Sequence, residues 1–127
     1  MSRSTTTVPG GQLVCTHLDA TTKFFRALSD PTRLKLLEFI LAGERTSADC
    51  VAHAEISQPR VSVHLSCLVD CGYVVARRDG KKLRYTVEDP RVAELVLLAR
   101  SLAADNAAAL TCCTRIAPGA ARDSDGK

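Results

Sequence analysis

The chain has 127 residues, enough for one domain of ordinary size and too few for two. Hydrophobic residues make up 46% and charged residues 24%, a globular balance that excludes a wholly disordered chain. No apolar run nears the roughly 18 residues of a membrane helix, so no membrane partner is expected. The Thr-rich start, Met1 to Thr7, has no apolar stretch behind it, so no secretory signal is expected and the chain reads as cytoplasmic. Trp is absent and aromatics are 4%, which leaves a core of Leu, Val, Ala and Ile and favours packed helices. In a reducing compartment, six cysteines point to metal binding or redox chemistry rather than to structural disulfides. The net charge of +3 is mild, but five of the 17 basic residues fall within Arg77–Arg84.

Residues 1–16, with Pro9-Gly10-Gly11, are expected to form a flexible arm, residues 17–116 the folded domain, and the small, polar residues 117–127 a disordered tail. A first helix is predicted from about Asp19 to Leu28, with Phe24, Phe25 and Leu28 as its buried stripe. Asp30 is a suitable N-cap and Pro31 suits the first helical position, so a second helix runs Pro31–Ala42, with Leu34, Leu37, Ile40 and Leu41 inward and Gly43 stopping it. A short third helix starts at Thr46 or Ser47 and ends near Ala54. After the turn Glu55-Ile56-Ser57, a fourth is capped by Ser57, has Pro59 in its first turn, buries Val61, Leu65 and Leu68, and ends at Gly72. The period then changes to two: Tyr73–Ala76 and Leu83–Val87 read as strands joined through an Asp-Gly turn. Asp89-Pro90 opens a last helix to about Leu110, with the stripe Val92, Leu95, Val96, Ala99 and Leu102. The fold is therefore mainly α with a β-hairpin wing, in the order α-α-α-α-β-β-α.

A short helix, a tight turn and a second capped helix form a helix-turn-helix signal, and the basic hairpin behind it makes it winged. With Val61, Leu65 and Leu68 inward, Ser57, Gln58, Arg60, Ser62, Val63 and His64 are expected to face out and read base edges in the major groove of double-stranded DNA. Arg77, Arg78, Lys81 and Lys82 are expected to meet the DNA backbone or enter the minor groove. There is no Cys-x-x-Cys, no phosphate-cradling Gly-rich loop and no Ser/His/Asp set, so neither an enzyme nor an organic cofactor is expected.

Three segments carry a family resemblance. Phe25-Arg26-Ala27-Leu28-Ser29-Asp30-Pro31-Thr32-Arg33-Leu34-Lys35-Leu36-Leu37 resembles the signature opening of the ArsR/SmtB family of metal-responsive repressors. Ile56 to Leu65 resembles the recognition helix of that family, and Gly80 to Tyr85 its wing. The resemblance implies a homodimer joined through the first and last helices, an apo form bound to operator DNA of dyad symmetry, and release by metal.

Cys67 and Cys71 are four apart on one helix, so their thiols share a face one turn apart and can chelate one ion. Cys112 and Cys113 lie at the end of the last helix, where adjacent side chains diverge and one of the two binds. A site joining Cys67 and Cys71 to Cys112 or Cys113 ties the base of the recognition helix to the dimerisation helix. Thiolates without His or carboxylate favour soft ions. The zinc- and nickel-type sites of the family need His on the last helix, which here has Glu94 and Asp105 but no His. The arsenic site needs three cysteines entering the third helix, which here holds Cys50 alone. His64 to Val75 is similar to the cadmium/lead-sensing branch, with Cys112 at the matching distance. The Ser101–Leu110 run before Cys112-Cys113 is most similar to ArsR-type repressors of actinomycete mercury-resistance operons. These likenesses imply Hg(II) as effector, with Cd(II) or Pb(II) as alternatives; a four-coordinate ion would need a further ligand such as Cys15. The same thiols could instead form a disulfide under oxidant.

Overall fold

The computed structural model describes residues 10–116, with side chains from His17 onward, so the expected arm at 1–9 and tail at 117–127 lie outside the described residues. The first helix, α1 (Gly10–Leu28), begins well upstream of Asp19, so residues 10–16 of the expected arm are helical. Leu13, Val14 and Leu18 carry apolar helical spacing through a stretch that Gly10-Gly11 disguises in the sequence.

The next boundaries follow their caps. Helix α2 (Pro31–Leu41) starts where the Asp30 carboxylate accepts from the Thr32 and Arg33 amides, at 2.8 and 3.1 Å. A two-residue strand, β1 (Arg45–Thr46), follows. Helix α3 (Ser47–Ala54) opens with a capping box: the Asp49 amide donates to the Thr46 hydroxyl and the Thr46 amide to the Asp49 carboxylate. It ends at Glu55, which takes the left-handed conformation (φ 60°, ψ 35°) usually given to glycine. Helix α4 (Gln58–Asp70), capped by Ser57, closes in a Schellman motif. There Gly72 has φ +90°, its amide donates to the Val69 carbonyl, and the Tyr73 amide donates to the Leu68 carbonyl.

The wing is β2 (Val75–Asp79) and β3 (Lys82–Thr86), antiparallel, with Asp79 opposite Lys82 across the Gly80-Lys81 loop. Gly80 holds φ +63° there, which a side chain would strain. Strand β1 joins the far side of β3, giving the order β1-β3-β2. Helix α5 (Pro90–Asp105) is capped by Asp89, and α6 (Ala107–Cys112) follows after a break at Asn106. The expected continuous last helix is thus interrupted: the Asn106 side-chain amide donates to the Leu102 carbonyl at 2.8 Å, a local bond that competes with the helical ladder.

The core gathers Leu36, Leu37 and Ile40 of α2, Cys50 of α3, Val61, Leu65 and Leu68 of α4, and Tyr73, Tyr85, Val92 and Val96 around them. Burying each of the larger aliphatic side chains contributes roughly 1.5–3 kcal/mol. Two expected stripes are only partly buried in the protomer. Phe25 is 56% exposed, and Ala99 and Leu102 face solvent, because among the described residues one side of the apolar surface of α1 and α5 has no cover.

Candidate nucleic-acid interface and thiol site

Helix α4 presents Ser57, Gln58, Arg60, Ser62 and Val63 to solvent, as the spacing predicts. Val63 is 66% exposed, an apolar residue on an otherwise polar surface, suited to a thymine methyl. His64 departs from expectation: it is 6% exposed and buried. Its position explains this, three residues after Val61 and four before Leu68, within the stripe that faces the core. Arg33 of α2 donates to His64 Nδ1 at 3.3 Å, so the imidazole is held in the interior instead of facing a groove.

The wing divides its cations between two faces. Consecutive strand residues point to opposite sides, so Arg78 shares the side of Ala76 and Leu83, and Arg77 lies on the other with its partner Arg84. Arg78, Lys81, Lys82 and Leu83 line a groove of about 620 Å³ whose other wall is Thr46, Ser47 and Ala48 at the start of α3 and Gln58 at the start of α4. Arg84 is engaged within the wing, donating to Asp79 at 2.8 Å, which holds its guanidinium pKa up. The groove therefore combines two helix starts with three cations, an arrangement suited to a DNA backbone.

The thiols fall into three settings. Cys50 is fully buried in the core, and burial followed by the Asp49 charge pushes its thiol up to about 11, so it acts as a small apolar residue. Cys67 and Cys71 are half-buried at the end of α4, where both line one cavity. Burial and then the Cys67 neighbour push the Cys71 thiol up, with the Arg33 charge acting in the opposite sense. They open onto a surface cavity of about 440 Å³ that Ser62, Val63, Ser66 and Asp70 complete, so the thiol pair and the outward surface of α4 are contiguous. Cys112 is exposed and Cys113 half-buried at the end of α6. Among the described residues, no three His, Cys, Asp or Glu side chains come together as a metal site, so one protomer does not unite Cys67 and Cys71 with Cys112 or Cys113. Cys15 falls in α1, and its side chain lies outside the described residues.

Sequence spacing did not reveal two further residues at this corner. Arg33 also donates through Nε to the Ala27 carbonyl at 2.7 Å. The Tyr73 hydroxyl donates to the Phe24 carbonyl at 2.6 Å, and its ring stacks on Phe24 with centroids 4.2 Å apart. The only sequence signal was their position, Arg33 just inside the second helix and Tyr73 just past the glycine stop. On the other side of α1, Phe25 and Leu28 line an apolar groove of about 300 Å³ with Leu95, Val96, Ala99 and Ala103 of α5.

Comparison with known proteins agrees with this architecture. The family model described as "Bacterial regulatory protein, arsR family" matches residues 30–75, from the cap of α2 to the first residue of the wing. The chain is 81% identical over 105 residues to a "Probable mercury resistance operon repressor" of Streptomyces lividans, covering 83% of this chain and 84% of the relative. It is 43% identical over 68 residues to the HTH-type transcriptional regulator CmtR of Mycobacterium tuberculosis, 54% of this chain and 58% of that one. Among solved structures, the homodimeric winged helix-turn-helix DNA-binding domain Mb0332 of Mycobacterium bovis superposes with a TM-score of 0.70 at 26% identity, covering 79% of this chain and 92% of that one. Rv0081 of M. tuberculosis superposes with a TM-score of 0.69 at 27% identity, covering 75% and 96%. The Streptomyces lividans repressor and CmtR are transcription regulators, not enzymes, and the chain belongs to the ArsR family of bacterial regulatory proteins.

Proposed function

We propose that this protein represses a mercury-resistance operon. A homodimer binds double-stranded operator DNA when metal-free, and it lets go when Cys67 and Cys71 hold Hg(II) together with a thiol of α6, Cys112 or Cys113. The observation that carries this reading is the paired Cys67 and Cys71 thiols at the base of α4, open to the surface that also presents Ser62 and Val63. An all-thiol donor set suits a soft cation. The mercury-resistance repressor at 81% identity supports the choice of ion. Partly exposed Phe25, Ala99 and Leu102 on α1 and α5 support a dimer through those helices, as does the homodimeric neighbour. The separation of the two cysteine pairs within one protomer supports a site shared between protomers. In this reading Gln58, Arg60, Ser62 and Val63 contact bases, Arg78, Lys81 and Lys82 contact phosphates, and Cys15 is not required. An operator partner puts the protein to work in the cytoplasm.

Titrating operator binding with Hg(II), with Cd(II) and Pb(II) as comparison ions and diamide as the oxidant control, tests the proposal. Near-stoichiometric Hg(II) is expected to release DNA, and Cys67→Ser or Cys71→Ser to keep the metal-free affinity and lose the response. Mixing Cys71→Ser chains with chains lacking both Cys112 and Cys113 is expected to restore a single site per dimer, because a two-fold interface then leaves one complete set of thiols. Release by diamide but by none of the three metals overturns the metal reading in favour of a thiol redox switch.

A further inference from the structure

The thiol pair sits at a corner where three helices are tied together through one side chain. Arg33 leaves α2, donates through Nε to the Ala27 carbonyl in the last turn of α1, and reaches His64 of α4 with its terminal nitrogen. His64 lies three and seven residues before Cys67 and Cys71, on the side of α4 that they share. Arg33 is also the cation whose field reaches the Cys71 sulfur, opposed by Asp70 beside it. The same turn of α1 leads to Phe25 and Leu28, which line the apolar groove against α5. One planar fork therefore touches the groove-reading helix and the helix that carries the proposed dimer face, and its charge is felt at the thiol corner.

We infer that Arg33 is the positioning residue that couples the thiol site to the α1/α5 face. The inference rests on the proposed function and adds a route for the signal. In the metal-free protein the guanidinium is shared between Ala27 and His64. When three thiols give their protons to solvent and hold a divalent cation, the site carries one net negative charge beside that guanidinium. Arg33 is drawn toward the sulfurs, its bonds to Ala27 and His64 weaken, and the last turn of α1 is freed relative to α4. A lysine cannot replace it fully, because a single ammonium lacks the fork that spans a carbonyl and an imidazole together. Tyr73 makes the other tie to α1, through the Phe24 carbonyl, but carries no charge to respond with.

The test measures three quantities on full-length protein: metal-free operator affinity, Hg(II) equivalents bound as read from thiolate-to-mercury charge-transfer absorbance, and the loss of operator affinity on loading. Arg33→Gln is expected to keep the first two near wild type and to cut the third by about tenfold, within the range of measured couplings between sites. Arg33→Lys, which keeps the charge and serves if the glutamine variant does not fold, is expected to lose a smaller part of the coupling. Tyr73→Phe is expected to respond as wild type does. Full release by mercury in a folded Arg33 variant overturns the inference while leaving the proposed function intact. Loss of release in Tyr73→Phe also overturns it, because general loosening of α1 would then explain both variants. If wild-type protein itself is not released, the functional reading fails first, and the inference falls with it.

Discussion

The first two turns of α4 and its last two make opposite use of the same helix. At the start, Gln58, Arg60, Ser62 and Val63 stand in solvent, and Val61 alone is buried. At the end, His64, Leu65 and Leu68 are buried and Cys67 and Cys71 are half-buried against them. A recognition surface needs side chains free to meet a partner, whereas a sensing site needs its donors held next to something that moves. The ends of the helix, Gln58 and Cys71, stand about 20 Å apart at 1.5 Å per residue, while Val63 and Cys67 meet in one cavity between them. Because a hydrogen-bonded helix is stiff over that length, the proposed release would carry displacement at the anchored end to the reading end without a flexible joint.

The largest test of this contrast removes the anchor. Leu68 is fully buried and its carbonyl accepts the closing bond of the Schellman turn from Tyr73. Leu68→Ala is expected to cost about 2–5 kcal/mol in denaturant unfolding and to degrade both operator binding and metal response. A folded Leu68→Ala protein that loses less than about 1 kcal/mol would mean that the end of α4 is not the fixed end.

A second test separates the reading end from the wing. Gln58→Ala or Arg60→Ala is expected to lower operator affinity by about 1–3 kcal/mol and to relax sequence preference. Replacing Lys81 and Lys82 with Ala is expected to weaken binding to all sequences alike and to reduce the salt slope by about two phosphate contacts. Fluorescence titrations over a salt series, on operator and on scrambled DNA, distinguish the two outcomes. Arg77→Ala is expected to matter less than Arg78→Ala, since Arg78 lines the groove and Arg77 lies on the other face of the strand.

The elements that could be read in the sequence were those with local causes. Asp30-Pro31, Ser57 with Pro59, and Asp89-Pro90 mark helix starts because a cap acts over three residues, and each start is found where the sequence puts it. Gly72 and Gly80 mark reversals because only glycine takes those backbone angles without strain. What was not legible depended on distant partners. Strand β1 has two residues, too few to show a period, and exists because Arg45 and Thr46 find Tyr85 and Arg84 of β3. The sequence sets His64 among the outward residues of α4, yet its place three residues after Val61 and four before Leu68 puts it inside, with Arg33 as its partner. The exposure of Phe25 and Leu102 shows apolar spacing that the other described residues do not cover. Cys67 and Cys71 are legible as an i, i+4 pair, and Cys112-Cys113 as a pair near the end of the last helix. The Asn106 break before the second pair is what apolar periodicity does not register.

The smallest effect is expected at the cap of α5, where Asp89 pairs with Arg91 at the surface. Asp89 accepts from the Arg91 amide at 3.0 Å and from its guanidinium at 2.7 Å, and these bonds hold its carboxyl down at about 2, well under its ordinary value of 3.8. A carboxyl depressed in the folded state adds stability that is fully present above its unfolded value and is lost as pH falls toward the folded one. That window runs from about pH 4 down to about pH 2. Both partners are exposed, so solvent and salt keep the contribution small. Asp89→Asn keeps an oxygen for the cap and removes the titration, so thermal midpoints measured across the acid range should fall less steeply than in wild type. Asp49, its carboxyl also depressed by its bonds to Thr46, leaves a residual slope. Operator affinity and mercury release at neutral pH should both be unchanged in Asp89→Asn. A shift in either would tie the start of α5 to α4, and the division of labour between the two ends of that helix would no longer account for how the protein responds.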